Sequence, residues 1–321
     1  MGHPKEHKLP VIDINPENLK PGTTSWLTTS EEIRRAFEEY GCFIAVYEKV
    51  TREFHDTILN TTEELFDLPL DTKMKNESNK PLYGYVGQIP FIPLYESLGI
   101  DQPNTKEGVE TFTKLMWPNG NPKFSETMEA YSKKMVELEQ MVLRMVFDIY
   151  GVDQKYMDSY LKSVTYLCRV MKYRQPEDNE SNYGFVAHTD KDFVSILHQN
   201  QINGLEMQAK DDGQWFIVDQ LSSPSSFIVT AGDAFMAWSN GRVHSPFHRV
   251  MMNGKTTRYT IAQFSFLDGK VETPEELVDD DHPLLYTPFD HLGYLSYYNM
   301  PENRRLENVV ALKAYCELQT T

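Results

Sequence analysis

The chain has 321 residues, of which 40% are hydrophobic and 24% charged, with 18 Tyr and 17 Phe. That is a globular composition, long enough to bury a substantial core. The formal net charge of −16 argues against a nucleic-acid or anionic-membrane partner, since both require a basic surface. Cys42, Cys168 and Cys316 are far apart and odd in number, which suits buried thiols in a reducing compartment better than a disulfide framework. No apolar run approaches the ~20 residues of a membrane span. The opening MGHPKEHKLP has no apolar stretch of a secretory signal, so a cytoplasmic location is expected.

In chain order, LPVIDI (Leu9 to Ile14) alternates as a short strand. EEIRRAFEEYG reads as an amphipathic helix over 31–41, with Thr28, Thr29 and Ser30 as candidate caps and Gly41 as its stop. CFIAVYE (Cys42 to Glu48) reads as a strand, and Thr51 to Leu65 as a second helix. Residues 76–108 form a long aromatic loop region, a kind that is often functional. Ser125 to Tyr150 is the clearest helix: Phe124, Met128, Tyr131, Met135, Leu138, Val142, Met145 and Ile149 recur every three or four residues.

After about residue 164 the pattern changes to short strands separated by turn signals such as Asp212-Gly213 and Asn253-Gly254. A short helix is expected near 306–318. Many strands at this spacing predict a sandwich or barrel.

One of these apparent strands, GFVAHTDKDFVSILHQN, carries His188 and Asp190. Residues i and i+2 of a strand share a face, so an imidazole and a carboxylate would lie side by side. Buried without partners they would be costly, so they must be paired or hold a metal. A His–Asp hydrogen bond in a core is the simpler account of three residues alone. Two histidines and a carboxylate on one face of an iron leave adjacent positions open, as in non-haem Fe(II) oxygenases. SNGRVHSPFHRV offers His244 and His248 as the third ligand, and alternation does not choose between them. In TRYTIAQF, Arg258 and Thr260 would share a face that continues through Ala262 and Phe264. A forked cation beside a hydroxyl suits one end of a carboxylate.

Taken together, LPVID, EEYGCF, LPLDTKMK, HTDKDFVSILHQNQINGLEM, TAGDAFMAWSNGRVHSPFHRV and RYTIAQFSF resemble the plant 2-oxoglutarate- and Fe(II)-dependent dioxygenases over nearly the whole chain. NLKPGTTSW, KLMWPNGN and TPEELVDDDHPLL are similar to a specialised-metabolism branch that includes deoxypodophyllotoxin synthase, steroidal-glycoalkaloid hydroxylases and glucosinolate side-chain oxygenases.

The resemblance implies a mixed α+β chain with a mainly β core. The core would be a double-stranded β-helix barrel (jelly-roll, cupin-like) with a helical N-terminal half packed around it. Residues 1–160 would form the N-terminal region, 161–270 the core and 271–321 a C-terminal extension. It selects His248 over His244, so that His188, Asp190 and His248 hold Fe(II). Arg258, Thr260 and Tyr173 would bind 2-oxoglutarate, and Phe264, Phe266, Tyr83 and Tyr85 would wall the substrate pocket. The implied reaction consumes O2 and 2-oxoglutarate, gives succinate and CO2, and hydroxylates a small plant metabolite. Desaturation or ring closure is the alternative outcome, and ascorbate the expected supporting reductant. A zinc hydrolase and a non-catalytic binding barrel are the competing readings. A monomer is expected. Two departures bear on the cosubstrate: the family's R-x-S is Arg258-Tyr259-Thr260 here, and Met171 replaces the Asn of its R-x-N-x-Y segment.

Overall fold

A computed structural model describes residues 7–219, 223–303 and 308–316. The opening Met1 to Glu6 and the ends of the expected C-terminal helix lie outside the described residues. The first half runs β1 (Val11–Asp13), α1 (Thr24–Glu39), β2 (Cys42–Val46), α2 (Arg52–Phe66), α3 (Leu70–Lys73), β3 (Tyr95–Asp101), α4 (Lys106–Met116), α5 (Pro122–Ile149) and α6 (Gln154–Ser163). The second half is strand-rich: β4 (Val164–Tyr173), β5 (Tyr183–His188), β6 (Val194–Gln199), β7 (Leu205–Gln208), β8 (Trp215–Ile217) and β9 (Ser226–Ala231) come first. Then follow α7 (Asp233–Trp238), β10 (His248–Met251), β11 (Arg258–Leu267), β12 (Lys270–Val271), β13 (Phe289–Asp290), α8 (His291–Asn299) and α9 (Asn308–Cys316).

Helix starts follow side-chain caps. Thr23 accepts from Trp26 N and opens α1 several residues before the Thr28–Ser30 cluster, which lies inside the helix. Thr51 caps α2, and Asn121 with Pro122 at the first helical position opens α5. Gly41, at φ +74°, lets the chain reverse from α1 into β2; a Cβ there would lie 2.3 Å from His244 O.

Seven strands form one sheet in the order β1-β2-β9-β6-β11-β4-β3, and four form a second in the order β5-β10-β7-β8. Along β11, Tyr259, Ile261 and Leu267 point into the core between the large sheet and the helices, where Gln263 reaches Ser132 O of α5. Ala262 and Phe264 face the opposite way, into a second apolar cluster with Leu205, Met207 and Val250 of the small sheet. The molecule thus has three layers: helices, large sheet, small sheet.

This corrects the expected mainly β barrel. The large sheet ends at β1 and β3 and the small one at β5 and β8, and no hydrogen-bonded ladder among the described residues joins them. Among the described residues, helical residues also outnumber strand residues. Alternation in a sequence reports which face of a strand is buried. It carries no information about whether edge strands pair, and closure depends on that pairing.

Glu139 of α5 is buried in the helix–sheet core and accepts from Tyr160 Oη at 2.5 Å. Burial pushes its carboxyl up to about 7, against the Ser265, Tyr160 and Tyr166 hydrogen bonds, which favour the charged form. The folded chain therefore keeps a proton that the unfolded chain releases near the ordinary value of 4.5. Stability from this group is complete below the unfolded value and is lost as pH rises through about 7. The whole change is ~3 kcal/mol. Urea unfolding from pH 5 to 8 is expected to show wild-type stability falling relative to Glu139→Gln. Parallel profiles for the two proteins would rule this out.

Candidate active site

His188 is the last residue of β5 and His248 the first of β10, and the two are register partners across the ladder. Their rings lie 4.2 Å apart between centroids. Asp190 is not in a strand: the chain leaves β5 at His188, crosses through Thr189–Phe193, and enters the other sheet as β6. The side-by-side geometry read from i, i+2 alternation is therefore replaced by a turn between the sheets. Asp190 Oδ1 lies 3.6 Å from His188 Nε2 and 3.8 Å from His248 Nε2. One ligand atom from each residue falls within 4.8 Å of the others.

The rings are oriented from behind. His188 Nδ1 lies 2.9 Å from Val186 O, and His248 Nδ1 lies 3.2 Å from Pro246 O. Carbonyls only accept, so each ring carries its proton on Nδ1 and turns the Nε2 lone pair to the shared centre. Burial, reinforced by the neighbouring His248, holds His188 well below its ordinary pKa, in its neutral form. Burial works against ionisation of Asp190, but His248, His188 and the Ser195 hydroxyl outweigh it and hold the carboxyl below its ordinary value. Ser195 Oγ donates to Asp190 Oδ2 at 2.5 Å, which leaves Oδ1 to face the histidines. Two imidazole Nε2 atoms and one carboxylate oxygen converging on one centre fit a divalent first-row metal such as Fe(II). His244 is not in this group; its backbone N–H bonds Phe37 O beside α1.

A second polar feature lies on the same inter-sheet face. Arg258 is 1% exposed, and no carboxylate among the described residues pairs with it. Its Nη2 donates to Gln199 Oε1 at 2.7 Å, and its Cζ lies 5.1 Å from the Tyr173 ring centroid. Arg258 Nε and Thr260 Oγ1 are buried with no hydrogen-bond partner in the protein. Tyr173 pairs with Arg258 in register, and its phenol donates to Met171 Sδ at 3.6 Å, a weak acceptor. Buried donors in this state fit an anionic ligand with several acceptor oxygens.

The four pocket candidates separate. Tyr83 and Phe266 pack with Leu167 and Leu295 in a small cluster under α8, with ring centroids 6.0 Å apart. Phe264 is half-buried and touches both this cluster and the inter-sheet one. Tyr85 donates to Glu96 at 3.0 Å. Its loop is anchored by Arg169, which donates to Leu82 O, Gly84 O and Ser97 Oγ. Arg169 is thus committed to the loop.

Sequence reasoning passed over Ser195, Gln199 and the buried Lys191–Asp233 pair. Lys191 Nζ lies 2.9 Å from Asp233 Oδ2 and donates to Thr189 O, tying the Asp190 turn to α7. Tyr294 of α8 donates to the same Asp233 oxygen at 2.8 Å. The one available signal was a cluster of polar residues in an apolar segment, VAHTDKDFVSILHQ. That pattern does not say which of them face the metal.

Residues 164–266 match the family described as the 2OG-Fe(II) oxygenase superfamily, and residues 9–122 match the non-haem dioxygenase in morphine synthesis N-terminal family. The chain is similar to the probable 2-oxoglutarate-dependent dioxygenase AOP1.2 of Arabidopsis thaliana, 42% identical over 92% of each protein. It is also similar to the 2-oxoglutarate-dependent dioxygenase AOP2 of Arabidopsis thaliana, 30% identical over 96% of this chain and 98% of that one. Among solved structures, the rice dioxygenase for auxin oxidation superposes with a TM-score of 0.81 at 29% identity, covering 97% of this chain and all of that one.

Proposed function

The chain belongs to the 2-oxoglutarate- and Fe(II)-dependent dioxygenases, and on that premise we propose that His188, Asp190 and His248 hold Fe(II) while Arg258, Thr260 and Tyr173 hold the far carboxylate of 2-oxoglutarate. The enzyme oxidises a small organic substrate with O2 and 2-oxoglutarate. In the hydroxylation mode one oxygen atom of O2 enters a C–H bond and the other enters succinate, with CO2 released. Fe(II), when bound, supplies the O2 activation and the decarboxylation. Val186 O and Pro246 O fix the tautomers of the two histidines, and Ser195 keeps Asp190 facing the centre by one oxygen. The apolar walls between the sheets exclude water. Of the four aromatic candidates, Phe264 is proposed as the wall toward the substrate, because it touches the inter-sheet cluster, whereas Tyr83 and Phe266 pack under α8 and Tyr85 packs on the helix–sheet core.

The observation that carries the cosubstrate assignment is the buried Arg258 guanidinium without a counter-ion among the described residues, next to the Thr260 hydroxyl, which has no hydrogen-bond partner among them. A zinc hydrolase would have no use for that pair. The proposed substrate is a small plant metabolite of the specialised-metabolism branch, which the similarity to the AOP dioxygenases supports. Ascorbate is proposed to sustain turnover by keeping iron reduced. The proposal also takes the chain as a cytoplasmic monomer with the three segments 1–160, 161–270 and 271–321; among the described residues no helix is long and apolar enough to cross a membrane.

The test is incubation of the purified enzyme with Fe(II), 2-oxoglutarate and a plant metabolite library. Succinate release should accompany a product about 16 mass units heavier, or about 2 lighter for desaturation or ring closure. Turnover that persists with zinc and without 2-oxoglutarate would refute the reading.

A further inference from the structure

Gln199 ends β6 beside Arg258 and is itself buried. Its Oε1 accepts from Arg258 Nη2 at 2.7 Å, and its Nε2 donates to Ile202 O at 3.2 Å. A guanidinium only donates and a carbonyl only accepts, so the amide has one orientation compatible with both partners. The next residue fixes the backbone: Asn200 Nδ2 donates to Thr257 O, and Asn200 Oδ1 accepts from Tyr259 N, on either side of Arg258. Gly204 leaves room for the arginine stem, since a Cβ there would lie 3.2 Å from Arg258 Cδ.

We propose that Gln199 is a positioning residue for the cosubstrate, holding the Arg258 guanidinium in place through a neutral amide so that its charge stays uncompensated until the far carboxylate of 2-oxoglutarate arrives. This rests on the reading of Arg258 given above. A carboxylate at the same position would still accept from the guanidinium, although it would give up the Ile202 O contact that the amide makes. It would also neutralise the guanidinium, and the incoming carboxylate would have to compete with a resident one. Gln has the shape of Glu without its charge. The site thus accepts a strained unliganded state, a buried cation with no anion, in return for cosubstrate affinity.

The test pairs two variants with two readouts that move in opposite directions. Glu in place of Gln199 supplies the missing anion, so Gln199→Glu is expected to raise the melting temperature of the ligand-free protein by about 3 °C or more. The same variant should weaken 2-oxoglutarate binding about 10- to 100-fold, measured by anaerobic calorimetry with Mn(II) present. Gln199→Met removes orientation without adding charge. It should weaken binding while leaving the melting temperature unchanged or lower. If Gln199→Glu lowers both stability and affinity as Gln199→Met does, Gln199 is a packing residue and the proposal fails. Arg258→Met in the same assay separates the two levels. Unchanged 2-oxoglutarate affinity there would defeat the Arg258 reading itself. Lost affinity there, with Gln199→Glu binding normally, would defeat only the inference about Gln199.

Discussion

Replacing Asp190 or His188 by alanine is expected to reduce substrate-dependent succinate release at least ~1,000-fold, equivalent to ~4 kcal/mol of barrier. Metal affinity, read from the visible absorption of added Co(II), should fall by more than the ~100-fold typical of losing only a supporting group. The reasoning is geometric. Three ligand atoms within 4.8 Å of one another can close around one ion, and two of them cannot hold it against water. The fold should survive. His188 stands at the end of β5, where its ring meets Phe185 and His248. Asp190 lies in a crossing turn that Lys191 and Asp233 anchor independently. Removing Asp190 takes away a buried carboxylate and leaves Ser195 Oγ with Asp192 Oδ2, 3.0 Å away, as its remaining partner. The metal-free variants should therefore melt within a few degrees of the parent, whereas His244→Ala should retain metal binding. Wild-type succinate release by either ligand variant would remove these residues from the proposed metal site.

What the sequence displayed and what it concealed divide along the range of the forces involved. The helix α5 was visible because its apolar residues recur with the helical period, and every one of them but Ile149 is buried. The strands of the second half were visible for the same local reason, and so was the alternation along β11 that sends Arg258, Thr260 and Ala262 to one face. Asp190 shows the limit. HTDKDF reads as continuous strand because its neighbours are apolar, yet the chain there passes from one sheet to the other. Burial alone does not reveal that a segment changes sheet. The run SSFIVTAGDAFMAWSNGRVHSPFHRVMM (225–252) falls in the stretch where short strands are expected, yet β9 ends before Gly232 and Asp233–Trp238 forms a helical turn, α7. That turn delivers Asp233 to Lys191, a contact 42 residues apart in sequence that no local pattern announces. Barrel closure failed as an expectation for the same reason, being a property of edge pairing between distant strands. The partners that orient the site, Ser195 behind Asp190 and Gln199 behind Arg258, became identifiable only when the sheet register placed them.

Arg258→Met is expected to raise the 2-oxoglutarate requirement about 100-fold while leaving the requirement for the organic substrate within about twofold. The magnitude follows from two charge-assisted hydrogen bonds of ~1.5 kcal/mol each, lost together. The selectivity follows from position. Arg258 lies two residues before Thr260 at the start of β11, and it faces Tyr173 and Gln199. Phe264, proposed as a wall toward the substrate, lies further along the same face. Burial draws the guanidinium below its ordinary pKa, with the Tyr173 phenol opposing the shift, but arginine is so strong a base that it does not deprotonate in proteins. It therefore stays charged across the working pH range, and the effect should not depend on pH between about 6 and 8. Arg258→Lys tests geometry apart from charge. A lysine keeps the cation but loses the fork, so it should recover only part of the affinity. The methionine variant should not lose stability, because it removes a buried charge that has no counter-ion among the described residues. Matched increases in both requirements, or a lysine variant indistinguishable from the parent, would show that Arg258 does not bind the cosubstrate through its fork.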